Sequence, residues 1–167
     1  MITALTVLLI IFIVGWYLSF SASRLDRLHH RVETSWEHLD ALLQRRSSLA
    51  LEISHSSDLD PATMVILTES AYISREESIL ERNDAERSLS ESLRFLRTAA
   101  ENGEVHVDFG LLSELTLLTE KIKIAVLIHL EAVTTVKRVR SKFLYRLFHL
   151  AGRAKSPHAY SFEEEPL

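Results

Sequence analysis

The sequence predicts an all-α protein: a single N-terminal transmembrane helix followed by an antiparallel bundle of three long helices. Three observations predict it. Apolar residues recur at three- and four-residue steps over most of the chain. The 167 residues include only 4 Gly and 3 Pro, too little turn material for a many-stranded sheet protein. Every Lys, Arg, Asp and Glu lies after residue 23, so the start of the chain carries no charged side chain. A composition of 47% hydrophobic and 25% charged residues excludes a wholly disordered chain. The absence of Cys excludes disulfides, thiolate metal sites and a cysteine nucleophile.

The first element is the anchor. Ile2 to Phe20 reads ITALTVLLIIFIVGWYLSF, which as a helix rising about 1.5 Å per residue covers roughly 28 Å, close to one hydrocarbon core. Trp16 and Tyr17 near its end suit the headgroup region, and Arg24, Arg27 and Arg31 follow directly. A cleaved signal peptide is the first alternative, suggested by Ser19, Ser21, Ala22 and Ser23; against it, the basic n-region is missing. A buried core helix is the second, and the lack of any polar face argues against it. The three Arg set topology by the positive-inside bias, which predicts a single-pass cell-membrane protein with its N-terminus outside and its domain in the cytoplasm. The expected organisation is an anchor over 1–23, a helical bundle domain over 24–152 and an acidic tail over 153–167.

Helix one, continuous with the anchor, runs to about His55 with Leu25, Leu28, Val32, Trp36, Leu39, Leu43, Ala50 and Ile53 on one face. SHSSDLDP ends it, and Asp60 with Pro61 reads as an N-cap followed by proline at the first helical position. Helix two is predicted over about 61–100, with a stripe of small residues, including Ala71, Ser74, Ser78 and Ala85, at its centre. That stripe predicts a thin middle to the bundle. ENGEVHVDFG, with Asn102, Gly103 and Gly110, breaks the chain next; a two-strand reading of it is too short for a sheet. Helix three is predicted over about 111–150, with Leu115, Leu118, Ile122, Ala125, Val133, Val136 and Phe143 on or near its apolar face. Gly152 is placed to cap it, and the tail carries Glu163 to Glu165 between Pro157 and Pro166.

Charge is partitioned between these helices. Residues 52–120 hold 15 acidic and 5 basic side chains, whereas residues 121–155 hold 9 basic and 1 acidic. If the second helix returns toward the bilayer and the third leads away again, Lys137, Arg138, Arg140, Lys142 and Arg146 fall at the distal end, beside Glu69, Glu76, Glu77 and Glu81. The cluster then reads either as an internal charge match or as a surface for a partner or for anionic phosphate groups. Overall acidity and the absence of a recognition motif argue against nucleic acid.

The chain shows no phosphate loop, no nucleophile elbow and no H-E-x-x-H helix. Glu52 and His55 form the one E-x-x-H pair, where a di-metal bundle uses two, and His129 on the apolar face reads as a hydrogen-bonded core or boundary residue. No cofactor, metal or catalytic residue is expected. Trp36 reads as a core anchor, and either Arg45 or Arg46 as a side chain that snorkels or pairs with an acidic residue of helix two.

Three stretches together, RLDRLHHRVETSWEHLDALLQRRSSL, LSELTLLTEKIKIAVLIHLEAV, and FLYRLFHLAG with the later YSFEEE, resemble the LemA family. The resemblance covers nearly the full chain through Ser35, Trp36, Leu39, Leu43, Arg45, Arg46 and Leu49, then Leu115, Thr116, Lys121, Ile122, Ala125, Ala132, Val133 and Phe143, and finally Phe162 and Glu163. It implies one N-terminal span, a bundle of long helices and no catalytic activity. This chain departs from the family where two Tyr-Asn pairs are replaced by His129 with Leu130 and by Val136 with Lys137, and where Leu144 stands in place of a proline. The expected function is a membrane-anchored helical scaffold or adaptor with a protein partner. The alternative is a bitopic coiled-coil structural protein that self-associates as a homo-oligomer through an apolar seam left over after the monomer has packed.

Overall fold

The computed structural model describes residues 2–56, 58–76 and 82–141. They form α1 (Ile2–Ser56), α2 (Pro61–Glu76), α3 (Arg82–Glu101) and α4 (Phe109–Arg140), with no strand among the described residues. The helix expected as one piece over 61–100 is thus two. Ser70 on α2 bonds Ser92 on α3 at 3.4 Å, and Ser74 bonds Glu86 at 2.7 Å. In one straight helix residues 70 and 92 would stand about 33 Å apart. The two halves therefore fold back as an antiparallel hairpin. The reason lies in what each half faces: the buried small side chains Ala71, Ser74 and Ala85 permit close approach of α2 and α3, and Glu86 needs a buried partner that only the folded-back arrangement supplies. The small stripe marks one end of a hairpin and is not the middle of a long rod.

Local chemistry sets the remaining boundaries. Asp60 caps α2 by accepting the backbone N–H groups of Ala62 and Thr63, both at 3.1 Å. The Thr63 hydroxyl, and after it the Thr63 backbone N–H, hold the Asp60 carboxyl below its ordinary range. Asp108 caps α4 through the N–H groups of Gly110 and Leu111. At the end of α3 the N–H of Gly103 reaches the Ala100 carbonyl and that of Glu104 reaches Ala99, a Schellman closure that requires the left-handed φ of 75° at Gly103. The two inter-helix links meet in an isolated antiparallel bridge between Asp58 and His106.

The chain divides into two compact units, and α1 and α4 contribute to both. Among the described residues, one comprises the chain up to Trp36 together with 129–141. There Leu25 and Val139 form a small buried cluster with Leu28 packed against it, while the Ser35 hydroxyl lies 3.0 Å from Nδ1 of His129. These contacts run in opposite directions along the two helices, so α4 is antiparallel to α1. The other unit is built around residues 37–128. Its core comes from Leu39, Leu43, Leu49 and Ile53 of α1, Leu67 of α2, Leu89, Leu93 and Leu96 of α3, and Leu115, Leu118 and Ile122 of α4. Full burial of one such aliphatic side chain contributes about 1.5–3 kcal/mol.

The extra helix corrects the placement of the basic cluster. With an odd count, the last helix would lead away from the apolar stretch; with α2 and α3 folded back, α4 returns toward it. Lys137, Arg138 and Arg140 belong to the same unit as Arg24, Arg27 and Arg31, whereas Glu69 belongs to the other. Lys142, Arg146, Phe143, the Gly152 cap, Ser78, Glu77, Glu81 and the tail over 153–167 lie outside the described residues.

Two expectations follow. Gly103→Ala should lower stability by about 1–2 kcal/mol, because an L side chain is strained at that φ, as read by urea unfolding of the detergent-solubilised protein. Asp60 has a folded-state pKa below its unfolded value, so its contribution is present above the unfolded value and is lost as pH falls through the folded one. Asp60→Asn should remove that part of the acid limb in a pH series of helix circular dichroism.

Candidate functional site

The anchor candidate is the first stretch of α1. It is long and apolar enough to cross a membrane, and none of its apolar window is buried among the described residues. Ile2 opens the helix, and the large apolar side chains described between Leu5 and Phe20 are 42% to 72% exposed. Trp16 at 70% and Tyr17 at 48% project from its far end. Arg24, Arg27 and Arg31 follow as exposed side chains on the same uninterrupted helix, with exposed Asp26 among them.

Beyond Arg31, α1 meets α4 at Ser35 and Trp36. The Trp36 indole and the His129 ring are tilted against each other with centroids 5.7 Å apart, and His129 is buried. Trp36 is half-buried and sits in this pairing, so it does not fill a bundle centre as its size suggested. Leu39, Leu43, Ile122, Ala125 and Val133, the other described residues expected in the core, are all buried.

The second unit encloses a polar layer among α1, α2 and α3. The buried Arg46 guanidinium pairs with the buried Glu86 carboxylate and donates to the Ser90 hydroxyl at 3.2 Å. Ser74 donates to the other Glu86 oxygen, and the Ser47 and Ser74 hydroxyls lie 3.0 Å apart. The Nε of Arg46 finds no partner among the described residues. A buried ion pair of this kind fixes which faces meet more than it adds stability, because desolvating two charges offsets most of their attraction. Arg45, one position along, points outward and places two guanidinium nitrogens on Glu114 Oε1 of α4, at 3.1 and 2.5 Å. That hydrogen bond, with the Glu114 charge behind it, raises the Arg45 pKa; both side chains are about half exposed, so water screens the pair. The two arginines thus take different fates, one snorkelling to a surface pair and one buried against an acid of the segment predicted as helix two.

Several features went unread in the sequence. Leu117, Ile124, Leu127 and Ile128 of α4 remain 45% to 62% exposed and share one face by their spacing. Val65, Ile66, Tyr72 and Ile73 of α2 are also exposed. Glu52 and His55 both face solvent, and no three His, Asp or Glu side chains converge among the described residues. Compared with models of known families, with curated proteins and with solved structures, the chain matches none.

The polar layer generates a paired prediction. Glu86→Ala strands the Arg46 charge and should cost about 3–5 kcal/mol, whereas replacing both partners as Arg46→Met with Glu86→Leu should be neutral or stabilising by about 1–4 kcal/mol. Chemical unfolding of the two variants in parallel checks it.

Proposed function

We propose that this chain is a membrane-anchored helical scaffold or adaptor of the LemA type, without catalytic activity, with its N-terminus outside the cell membrane and its helical domain in the cytoplasm. The observation that carries the reading is the bare apolar first stretch of α1, which no other described residue covers and which passes without a break into an exposed Arg-bearing segment. An apolar surface of that extent is unstable in water and at home in a bilayer. The Arg segment gives the cytoplasmic side. The scaffold part of the reading is supported by Leu117, Ile124, Leu127 and Ile128, which at i, i+7, i+10 and i+11 make one exposed apolar helix face of the kind a partner recognises.

The same residues favour one second reading. They form the leftover apolar seam that a self-associating bitopic protein needs, and two copies anchored in one leaflet would present it in parallel.

Full-length protein should stay in the membrane pellet after alkaline carbonate extraction, and a reporter on the last residue should be active only inside the cell. Release into the wash, or a reporter active outside, contradicts the anchoring. Because the chain has no Cys, Ile128→Cys gives a single cross-linking position in native membranes. Bands of mixed mass support the adaptor reading; one dominant band at twice the monomer mass supports self-association.

A further inference from the structure

The antiparallel return of α4 has an electrostatic consequence at the membrane end of α1. Leu25 and Val139 pack together, and Leu25 stands five residues beyond Phe20, an axial rise of about 7.5 Å. Lys137 and Arg138 are exposed one helical step from that contact, and Arg140 is half-buried beside it. Arg24 and Arg27 flank Leu25 on α1, and Arg31 follows about 9 Å further along the helix. Across 24–31 and 137–140 the chain carries six Lys and Arg against a single carboxylate, Asp26. Just beyond, His30 lies 3.9 Å from Glu33, both strongly exposed, and Glu131 is exposed further up α4.

From these positions we propose that the segment of α1 just past its apolar stretch and the adjoining end of α4 form a docking surface for the anionic phospholipid headgroups of the leaflet from which α1 emerges. The proposal rests on the anchoring reading above. Three points select this occupant. The apolar stretch of α1 fixes the bilayer edge within about a Debye length, roughly 8 Å at physiological ionic strength, of the charges on α4. The headgroup zone on each side of the hydrocarbon core is itself several ångströms deep, so the cluster lies at phosphate level. The surface is nearly all of one sign, and its complement is a sheet of phosphates held in place by the same helix that delivers the cations. Arg24, Arg27 and Arg31 alone would set orientation; the addition of α4 doubles the basic count and turns an orientation signal into a two-helix clamp that holds the end of α4 down on the membrane.

The test uses the full-length chain with Ser141→Cys carrying a fluorophore, in nanodiscs of phosphatidylcholine and phosphatidylglycerol. A nitroxide near the top of the acyl chain is placed on one lipid or the other at equal mole fraction. Quenching by labelled phosphatidylglycerol should exceed that by labelled phosphatidylcholine by about threefold or more, as several basic groups at the surface imply. The ratio should collapse in 1 M salt and fall at least by about half in Lys137→Gln/Arg138→Gln/Arg140→Gln. Lys137→Arg/Arg138→Lys should keep it, with helix circular dichroism unchanged throughout. Inorganic phosphate at matched ionic strength should leave the ratio intact. Equal quenching by both lipids, no quenching by either, or an unchanged ratio in the triple variant overturns the proposal, and loss of the ratio to phosphate alone assigns the surface to a soluble anion instead. A chain that fails to enter the discs overturns the anchoring reading as well, which separates that failure from the failure of the lipid contact alone.

Discussion

A guanidinium and a carboxylate withdrawn from water, Arg46 on α1 and Glu86 on α3, are the constraint on which the remaining architecture depends. Neither charge is tolerable inside the bundle without the other. Their pairing, together with the Ser47, Ser74 and Ser90 hydroxyls that complete the layer, requires α3 to lie against α1 while α2 lies against both. The segment from Pro61 to Glu101 must then fold back on itself. Hydrophobic burial supplies most of the stabilisation, but leucines at helical spacing accept many partners, and a buried ion pair accepts few.

The fold-back changes the direction of everything after it. Two helices in place of one reverse α4, and its basic end returns to the end of α1 that bears the apolar stretch. The contacts that record this are modest: Leu25 with Val139, Ser35 and Trp36 with His129, and Arg45 with Glu114. The first two step in opposite directions along α1 and α4. The charge asymmetry of the sequence thereby acquires a different meaning. The positive residues Lys137, Arg138 and Arg140 of α4 share a unit with Arg24, Arg27 and Arg31 of α1, where their fields add.

Features written in local chemistry were legible from the residues. Asp60 with Pro61, Asn102 with Gly103, and the burial of Leu39, Leu43, Ile122 and Val133 follow from capping geometry and helical period. The fold-back was not legible, because residues 77–81, Glu-Ser-Ile-Leu-Glu, contain neither Gly nor Pro and continue the helical pattern of small and acidic residues. A signal existed in Asn83 and Asp84, two poor helix-interior residues, with Asp84 falling in the first turn of α3 where a carboxylate favours the helix dipole. The choice of Glu86 as the partner of Arg46 was beyond reach for a different reason: the two are 40 positions apart, and nothing local distinguishes Glu86 from the other acids of the segment. The half-burial of Trp36 was hidden in the same way, since its neighbour His129 belongs to the far end of the chain.

The direction of α4 is decided most directly by a distance. Spin labels on Asp26→Cys and Ser141→Cys, in a chain that has no other Cys, report the separation of the α1 segment just past the apolar stretch from the end of α4 by pulsed dipolar spectroscopy. The antiparallel return predicts a single short distance, no more than about 20–25 Å including the label arms. A last helix leading away from the apolar stretch would place the second label at least about 45 Å off, the rise of thirty helical residues, and a distribution centred there would contradict the account.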